Sequence, residues 1–535
     1  MDEIMQIIIP MSGFGERFRR AGYTVPKPLI EVDSKTIIQH VVEMYPGEND
    51  FTFICNQDHL DHPDYKMHEI LELICPTGRI VGIAPHKLGP VYAVQQIVGH
   101  LNADEPTIVN YCDFTCYWNY ADFKAKVLET GCDGSIPSYR GFHPHTLWSN
   151  YYAYVPEKDM WAYDIQEKKP FTDNPRQEFA SSGTYYFKSA KLMDQYFKRC
   201  IEDGLTVADE YYVSMVYKPM MEDGLKVLVY DLEFFMQWGV PSDLEEYRYW
   251  SNIFKNINNG QPPVDIGGAL LLPMAGLGSR FSSEGYDVPK PLIQVSGKAM
   301  ATQALANLPK TDTTVFVLRT DLPDVDDLVT TLKKEQPDAD FCMLDHMTDG
   351  QASTCLEGGE SIADDVAVTI AACDNGMLYD TDALKTLFDD ETIDVIVWGA
   401  KGYPGAARNP NAYGWLDVDK ATGTIKNVSV KTPLDDPVND PIVVGAFTFR
   451  KMSDFRRCVE RMKVREGRIN GEYYVDTAIN DAIALGLNCK VFDIDYYVCW
   501  GTPNDLKTFE YWQSCFDKWH SHPYALPNNE GISEI

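Results

Sequence analysis

Two stretches of the chain carry one arrangement of glycines and cations. Ile7–Ile30 reads IIIPMSGFGERFRRAGYTVPKPLI, and Leu270–Ile293 reads LLLPMAGLGSRFSSEGYDVPKPLI. In each, an apolar run ends in a turn with two glycines, Gly13 and Gly15 or Gly276 and Gly278. Glycine lets the backbone approach a ligand closely and take conformations that side chains resist, so N–H groups in such a turn can cradle a phosphate. Arg17 and Arg280 add a planar fork that suits phosphate oxygens. Lys27 and Lys290 each stand between two prolines, which stiffen the backbone around them. The chemistry to which these residue types point is the handling of a phosphate. The loop lacks the G-x-x-x-x-G-K-[ST] pattern of a Walker-type loop, and the third glycine of the dinucleotide fingerprint is missing.

The elements that must position these groups are repeated too. VNYCDF (Val109–Phe114) parallels IAACDN (Ile370–Asn375), and SGTYYF (Ser182–Phe187) parallels VGAFTF (Val444–Phe449). DEYYV (Asp209–Val213) parallels GEYYV (Gly471–Val475), and WGVPSDLEEYRYW (Trp238–Trp250) parallels WGTPNDLKTFEYW (Trp500–Trp512). Order and spacing hold through both halves, so the chain reads as one domain duplicated, with a period too long for a solenoid. Copy one is placed at 1–258, copy two at 266–522, and 523–535 reads as an irregular tail. The polar, Gly/Pro-rich stretch Asn256–Gly268 is the expected seam. Within each copy, apolar runs such as QIIIPM, FTFICN, TVFVLR and DVIVWGA alternate with helix-like segments. Runs without strict polar alternation suit strands covered on both faces, which predicts an α/β fold with a mostly parallel central sheet. Ligands in such sheets bind beyond the carboxyl ends of the strands.

The 535 residues are enough for roughly two to four domains, and 44% hydrophobic content is enough for cores. A formal net charge of −32 argues against nonspecific binding to nucleic acid or an anionic membrane, both of which reward basic patches. The opening MDEIMQIIIPM has no basic segment before a long apolar run, so it reads as the start of a fold and not a signal peptide. No stretch reaches the ~18 apolar residues that span a bilayer. Thirteen scattered cysteines without zinc-type spacing point to reduced thiols and a cytoplasmic location. His143 and His145, in RGFHPHTLW, read as loop histidines and not metal ligands.

These strings resemble the sugar-phosphate nucleotidyltransferases, which share a nucleotide-binding α/β fold with the GT-A glycosyltransferases. The family opening is similar to L-x-P-x-A-G-x-G-[ST]-R-[FL] followed by P-K-P-[LM], and both copies carry it. The resemblance covers nearly the whole chain and implies two tandem Rossmann-like, GT-A-like domains with Mg2+ as cofactor. It implies that Asp113 and Asp374 hold the metal, which takes oxygen ligands and keeps several waters. Gly13, Gly15, Gly276 and Gly278, with Arg17, Arg280, Lys27 and Lys290, would hold the nucleotide phosphates. Gly89 in copy one, and Gly350, Gln351 and Ala352 in copy two, match the base-contacting loop. Lys168 and Lys431 match the lysine that meets the acceptor phosphate. Glu210 and Glu472, with Asp476, match acidic residues that accept sugar hydroxyls. The family's second metal Asp is replaced by Gln237 and Cys499, poor magnesium ligands. Glu233 and Asp495, or Asp231 and Asp493, are the nearby substitutes. Copy one also departs at Glu16, where Ser or Thr is usual and where a carboxylate would either weaken binding of a triphosphate or point outward harmlessly, and at Ser214 in place of Asp476. Copy two has Val430 where copy one has Glu167.

The reaction implied is NTP plus sugar 1-phosphate, or a similar phosphorylated polyol, giving an NDP-sugar and pyrophosphate for glycan or polysaccharide synthesis. The expected partners are those substrates, with self-association into a homo-oligomer also allowed. Two alternatives stand beside it. A GT-A glycosyltransferase would usually show D-x-D at the strand end, where this chain has CDF and CDN. A nucleotide-sensing or scaffold role is open for one copy, copy one above all.

Overall fold

The computed structural model describes residues 4–148, 152–262 and 264–525. The chain divides into two compact units, Met1–Arg248 and Tyr249–Ile535. Both are α/β, and both lay their central strands in the same spatial succession. In the first unit the succession is Arg79–Ile83, Asp50–Asn56, Gln6–Met11, Thr107–Asn110, Thr184–Phe187, Gly134–Tyr139, Val227–Asp231. In the second it is Asp340–Leu344, Thr313–Arg319, Ala269–Pro273, Val368–Ala371, Ile442–Phe449, Val395–Ala400, Cys489–Ile494.

The first four strands of each succession run parallel, with register Ile8↔Thr52 and Ile8↔Val109 in one unit and Leu271↔Val315 and Leu271↔Ile370 in the other. The fifth runs antiparallel to both neighbours, a departure from a uniformly parallel sheet. Its physical reason is the connection. The chain reaches it through a short meander (Ala153–Val155 and Phe179–Ser181, or Gly414–Val418 and Ile425–Val430), and antiparallel neighbours need no long crossover. Gly183 and Gly445, with φ of 99° and 79°, turn the backbone as this strand passes the strand-end aspartates.

Alternation along the central strand fills both faces. Ala269 and Leu271 belong to one buried cluster with Val315, Val368 and Phe447, whereas Leu270 and Leu272 belong to another with Phe316 and Leu328. Helices cover these faces. Ala190–Glu202 starts where the Ser189 hydroxyl accepts from the Leu192 N–H (3.2 Å) and buries Met193, Tyr196, Phe197 and Cys200 at helical spacing. All thirteen cysteines carry free thiols. Among the described residues no helix is long and apolar enough to cross a membrane.

The division between units falls inside the helix Pro241–Ile257, ahead of the expected seam at Asn256–Gly268. The cause is aromatic packing in the second unit. Phe254 lies 5.4 Å from Phe509, 5.7 Å from Phe516 and 4.8 Å from Tyr524, and Trp250 lies 6.3 Å from Phe509. The Tyr249 hydroxyl donates to the Tyr497 carbonyl and accepts from the Tyr497 N–H, both at 2.9 Å. The start of the expected tail is docked as well, since Tyr524 is buried and its hydroxyl accepts from Gln513 (2.8 Å); positions 526–535 lie outside the described residues. Phe254→Ala is therefore expected to destabilise the second unit by about 3–5 kcal/mol, the usual range for emptying a buried aromatic site. Denaturant unfolding followed by fluorescence reads this; an unchanged second-unit transition would place Phe254 outside that core.

Candidate functional site

Each glycine turn leaves the carboxyl end of its central strand and meets a lysine held in a tight turn. Gly15 and Gly278 both take φ of 62° and start short helices at Glu16 and Ser279. A methyl group on Gly278 would sit 3.1 Å from Lys290 Cβ, whereas one on Gly13 or Gly276 would meet nothing within 4 Å. Gly278 thus lets its loop lie against the lysine, whereas a methyl group on Gly15 would sit 3.9 Å from Lys27 Cβ, an ordinary contact; the first glycine of each turn faces open space. Pro26 and Pro289, with φ near the proline value, lead into the 3-10 turns Lys27–Leu29 and Lys290–Leu292. Those turns aim the ammonium groups at the strand-end carboxylates. Lys27 Nζ lies 2.8 Å from Asp113 Oδ2, and Lys290 Nζ lies 2.5 Å from Asp374 Oδ2 and 3.1 Å from the Gly501 carbonyl. Burial alone would pull both lysines down, but the adjacent aspartates more than reverse it, and both ammonium groups are held above their ordinary value. Gly239 and Gly501 leave room here, since a methyl group on either would sit 3.2 Å from the aspartate oxygen.

In the first unit these groups open onto two adjoining cavities. One of about 580 Å3 is lined by Gly13, Gly15, Arg17, Lys27, Asp113 and Glu210, among others. Another of about 350 Å3 shares Arg17 and Asp113 with it and adds Glu167 and Lys168. The fold thus brings the expected residues of copy one together. Glu16 does not stand alone before that space. Its carboxylate pairs with Lys87 at 2.7 Å and with Arg20 at 3.6 Å, and Lys87 foremost holds it below the usual carboxylate range.

Gly89 lines the larger cavity, and both Gly89 and Gly350 also have a packing role. A methyl group on Gly89 would sit 2.7 Å from the Tyr211 nitrogen, and one on Gly350 2.5 Å from the Tyr473 nitrogen. Tyr211 N–H donates to the Leu88 carbonyl (2.9 Å) and Tyr473 N–H to the Asp349 carbonyl (2.9 Å). These glycines let the loop seat directly on the strands of chain that carry Glu210 and Glu472. Gln351 begins the helix Gln351–Gly358 and is half-buried. Ala352 corrects the expectation: its methyl is buried in the core and its N–H is taken by the Tyr473 carbonyl (2.9 Å), so neither faces a ligand.

Lys168 and Lys431 both take φ of 61°. Burial pulls the Lys431 ammonium down, with Asp476 and Glu472 opposing and Arg280 adding to it, which places these four groups in one electrostatic field. Gly414 admits the Asp476 carboxylate, whose Oδ2 lies 2.4 Å from where a methyl group would be. Burial pushes the Asp476 carboxyl up to about 6, against the pull of Lys431. In the first unit the carboxylate comes from the other wall. Ser214 stands at the position of Asp476 and donates to Glu167 Oε2 at 2.6 Å, and Glu167 occupies the position of Val430.

The substitutes expected for the second metal aspartate are not brought to this place. Asp493 is paired with Lys401 (2.7 Å), Asp231 lies 3.9 Å from Arg140, Glu233 and Asp495 are exposed, and neither Asp231 nor Glu233 lines either cavity. Sequence reasoning missed Asp243 and Asp505 instead. Gln237 Nε2 donates to Asp243, and Cys499 Sγ to Asp505 Oδ2 at 3.6 Å. Burial, with the charge of Asp374 contributing, raises the Asp505 carboxyl. The repeated strings WGVPSD and WGTPND carried the signal. His143 and His145 are buried among aromatic rings, with Tyr139 against both, and no group of three or more metal-ligating side chains occurs among the described residues.

No family model matches the chain. Among solved structures it is similar to the nucleoside-diphosphate-sugar pyrophosphorylase from Vibrio cholerae RC9, at 18% identity over 45% of this chain and 98% of that one, with a TM-score of 0.37. It is also similar to the inositol-1-phosphate CTP transferase from T. maritima, at 15% identity over 47% and 97%, TM-score 0.37. A third is the CTP:phosphocholine cytidylyltransferase from Streptococcus pneumoniae, at 18% identity over 46% and 98%, TM-score 0.36.

A raised carboxyl pKa means that the folded second unit holds the Asp476 proton where the unfolded chain has released it. Its contribution to stability is full below about pH 4 and falls as pH rises towards about 6. Asp476→Asn should flatten the decline in second-unit stability across that window. Urea unfolding at intervals between pH 4 and 7 tests this; an identical pH slope in the variant would contradict it.

Proposed function

We propose that both units are built for nucleotidyl transfer from an NTP to a phosphorylated acceptor, with pyrophosphate released. The second unit then acts on a sugar 1-phosphate or a similar phosphorylated polyol, supplying a nucleotide sugar for glycan or polysaccharide synthesis. The observation that carries the proposal is the convergence, in both units, of a glycine turn, a proline-flanked lysine and a strand-end aspartate within 2.8 and 2.5 Å. A polyphosphate seated on the turn competes with the aspartate for the lysine, and the released carboxylate is then open to a divalent cation. The donor set fits Mg2+, because Asp113 and Asp374 are hard oxygen ligands, and a metal shared with nucleotide phosphates needs one or two from the protein. Asp374 has Asp505 beside it as a second carboxylate. Magnesium, when bound, would neutralise phosphate charge and orient the α-phosphate.

The acceptor's phosphate oxygen is already ionised and serves as its own nucleophile. It forms a bond to the α-phosphorus while the bond to the bridging β-phosphate oxygen breaks and pyrophosphate departs. The protein therefore contributes position and charge instead of a general base. Arg280 and Lys290 hold the triphosphate in the second unit, and Lys431 the incoming phosphate, with Glu472 and Asp476 accepting acceptor hydroxyls. Arg17, Lys27 and Lys168 do the same in the first. Loss of one preorganised cationic contact should lower the rate ~10²-fold or more.

Pyrophosphate release, measured with each NTP against a panel of sugar and polyol phosphates, tests the proposal. Asp374→Ala with Lys290→Ala is expected to abolish turnover of the sugar phosphate while the fold is kept. Full activity in that double variant would exclude the second unit as its source. Asp113→Ala with Lys27→Ala decides the first unit in the same way.

A further inference from the structure

The acceptor cavity of the first unit is walled by rings: Tyr111, Phe114, Tyr152, Tyr185, Tyr212 and Phe235. Tyr111 and Phe114 stand where the second unit has Ala372 and Asn375. Most hydroxyls that face this cavity are already committed. Ser181 donates to the Tyr185 hydroxyl (2.9 Å), Ser182 to the Pro137 carbonyl (2.9 Å), and the Tyr111 hydroxyl accepts from the Val213 N–H (3.2 Å). Lys168 donates to the Tyr212 hydroxyl at 2.9 Å, its ammonium 4.5 Å from that ring's centroid.

Two acceptors remain uncommitted beside the Tyr111 hydroxyl, which keeps its own proton to donate. Ser214 occupies Oε2 of Glu167, and among the described residues nothing donates to Oε1. Gln237 must turn its amide nitrogen to the Asp243 carboxylate, which fixes the amide orientation and leaves Oε1 buried without a partner. The Tyr152 hydroxyl, buried and unpartnered, can act either way. A hexose presents hydroxyls that both donate and accept, and a site that reads them needs donors in return. Ring faces carry negative potential and draw cations, above all when a carboxylate stands among them. Burial also holds Glu167 above the usual carboxylate range, so a cation beside it would favour its charged form.

We propose that the acceptor of the first unit is a phosphomonoester whose alcohol part carries an ammonium or quaternary ammonium group. Its phosphate lies toward Arg17 and Lys168, and its cation lies among the rings facing Glu167. The step is the one given above: an acceptor phosphate oxygen bonds to the α-phosphorus, the α–β bridging bond breaks, and pyrophosphate carries away the electron pair. The proposal rests on reading the first unit as a nucleotidyltransferase, and two measurements separate the two claims.

Full-length protein with the second unit silenced by Asp374→Ala and Lys290→Ala is assayed for pyrophosphate release with each NTP. The acceptors are phosphocholine, phosphoethanolamine, glucose 1-phosphate and glycerol 3-phosphate. Calorimetry with choline chloride reads the cation site without turnover. The expected result is a kcat/KM at least ~10-fold higher for the amino phosphates. Glu167→Gln, and separately Phe114→Asn, should erase that preference and weaken choline binding ~10-fold or more, the order expected for losing a partly desolvated cation contact. Equal or better use of the neutral phosphates overturns the proposal and leaves nucleotidyl transfer standing. Choline binding that depends on Glu167, with no turnover of any acceptor, keeps the cation site and removes the transferase reading. Absence of both choline binding and turnover removes both.

Discussion

The site is organised around one partly buried ion pair, made once in each unit. An ammonium group taken out of water without a partner loses its proton or disrupts the fold, and a lone carboxylate faces the same penalty. Lys27 with Asp113, and Lys290 with Asp374, offset each other's burial at 2.8 and 2.5 Å. Several features exist only because that pair must form. Prolines on both sides fix where each lysine leaves the backbone. Gly278 lets the glycine turn of the second unit lie against its lysine. Gly239 and Gly501 stay bare because a methyl group would crowd the carboxylate. The sheet order is required as well, since the strands that carry the turn and the aspartate must be parallel neighbours for their carboxyl ends to coincide. They are, with Ile8 opposite Val109 and Leu271 opposite Ile370.

A pair of this kind is stable in isolation and still exchangeable. Each member is about a quarter exposed, and each can accept a better partner: a phosphate for the lysine, a divalent cation for the aspartate. The pair holds the two groups in place at no net charge, which under the proposed function spares an incoming anion a local negative charge in a chain of formal charge −32.

What could be read from the sequence was what depends on near neighbours. The apolar runs, the glycine turns and the proline-flanked lysines declare themselves within a dozen residues, and the duplication makes each declaration twice. What could not be read depends on partners far along the chain. Phe254 looks like the end of copy one until Phe509 and Tyr524 are seen to surround it. Asp243 and Asp505 look like ordinary acids in the first turn of a helix, and only folding brings them against Gln237 and Cys499. Glu16 reads as repulsive until Lys87, from another loop, neutralises it. The antiparallel fifth strand follows from a return path and a glycine bend, neither of which alters the apolar pattern of the strand itself.

The acceptor side shows how two copies of one site can diverge without either losing its internal balance. Positions 167 and 214 touch, since the Ser214 hydroxyl reaches Glu167 at 2.6 Å. The second unit holds Val430 and Asp476 at the equivalent places. Each unit therefore keeps one carboxylate and one group that can lie beside it. Changing only one position breaks this arrangement. Glutamate on the strand with aspartate on the helix would press two carboxylates together in a half-buried space, and one would have to take up a proton. Valine with serine would leave both walls without a carboxylate. Moving the two together shifts the carboxylate from one wall to the other. Lys168 and Lys431 stay in place with the same backbone conformation throughout. The lysine end is thus held constant while the carboxylate is reoriented, which under the proposed function would let the two units share a reaction and differ in what they react with.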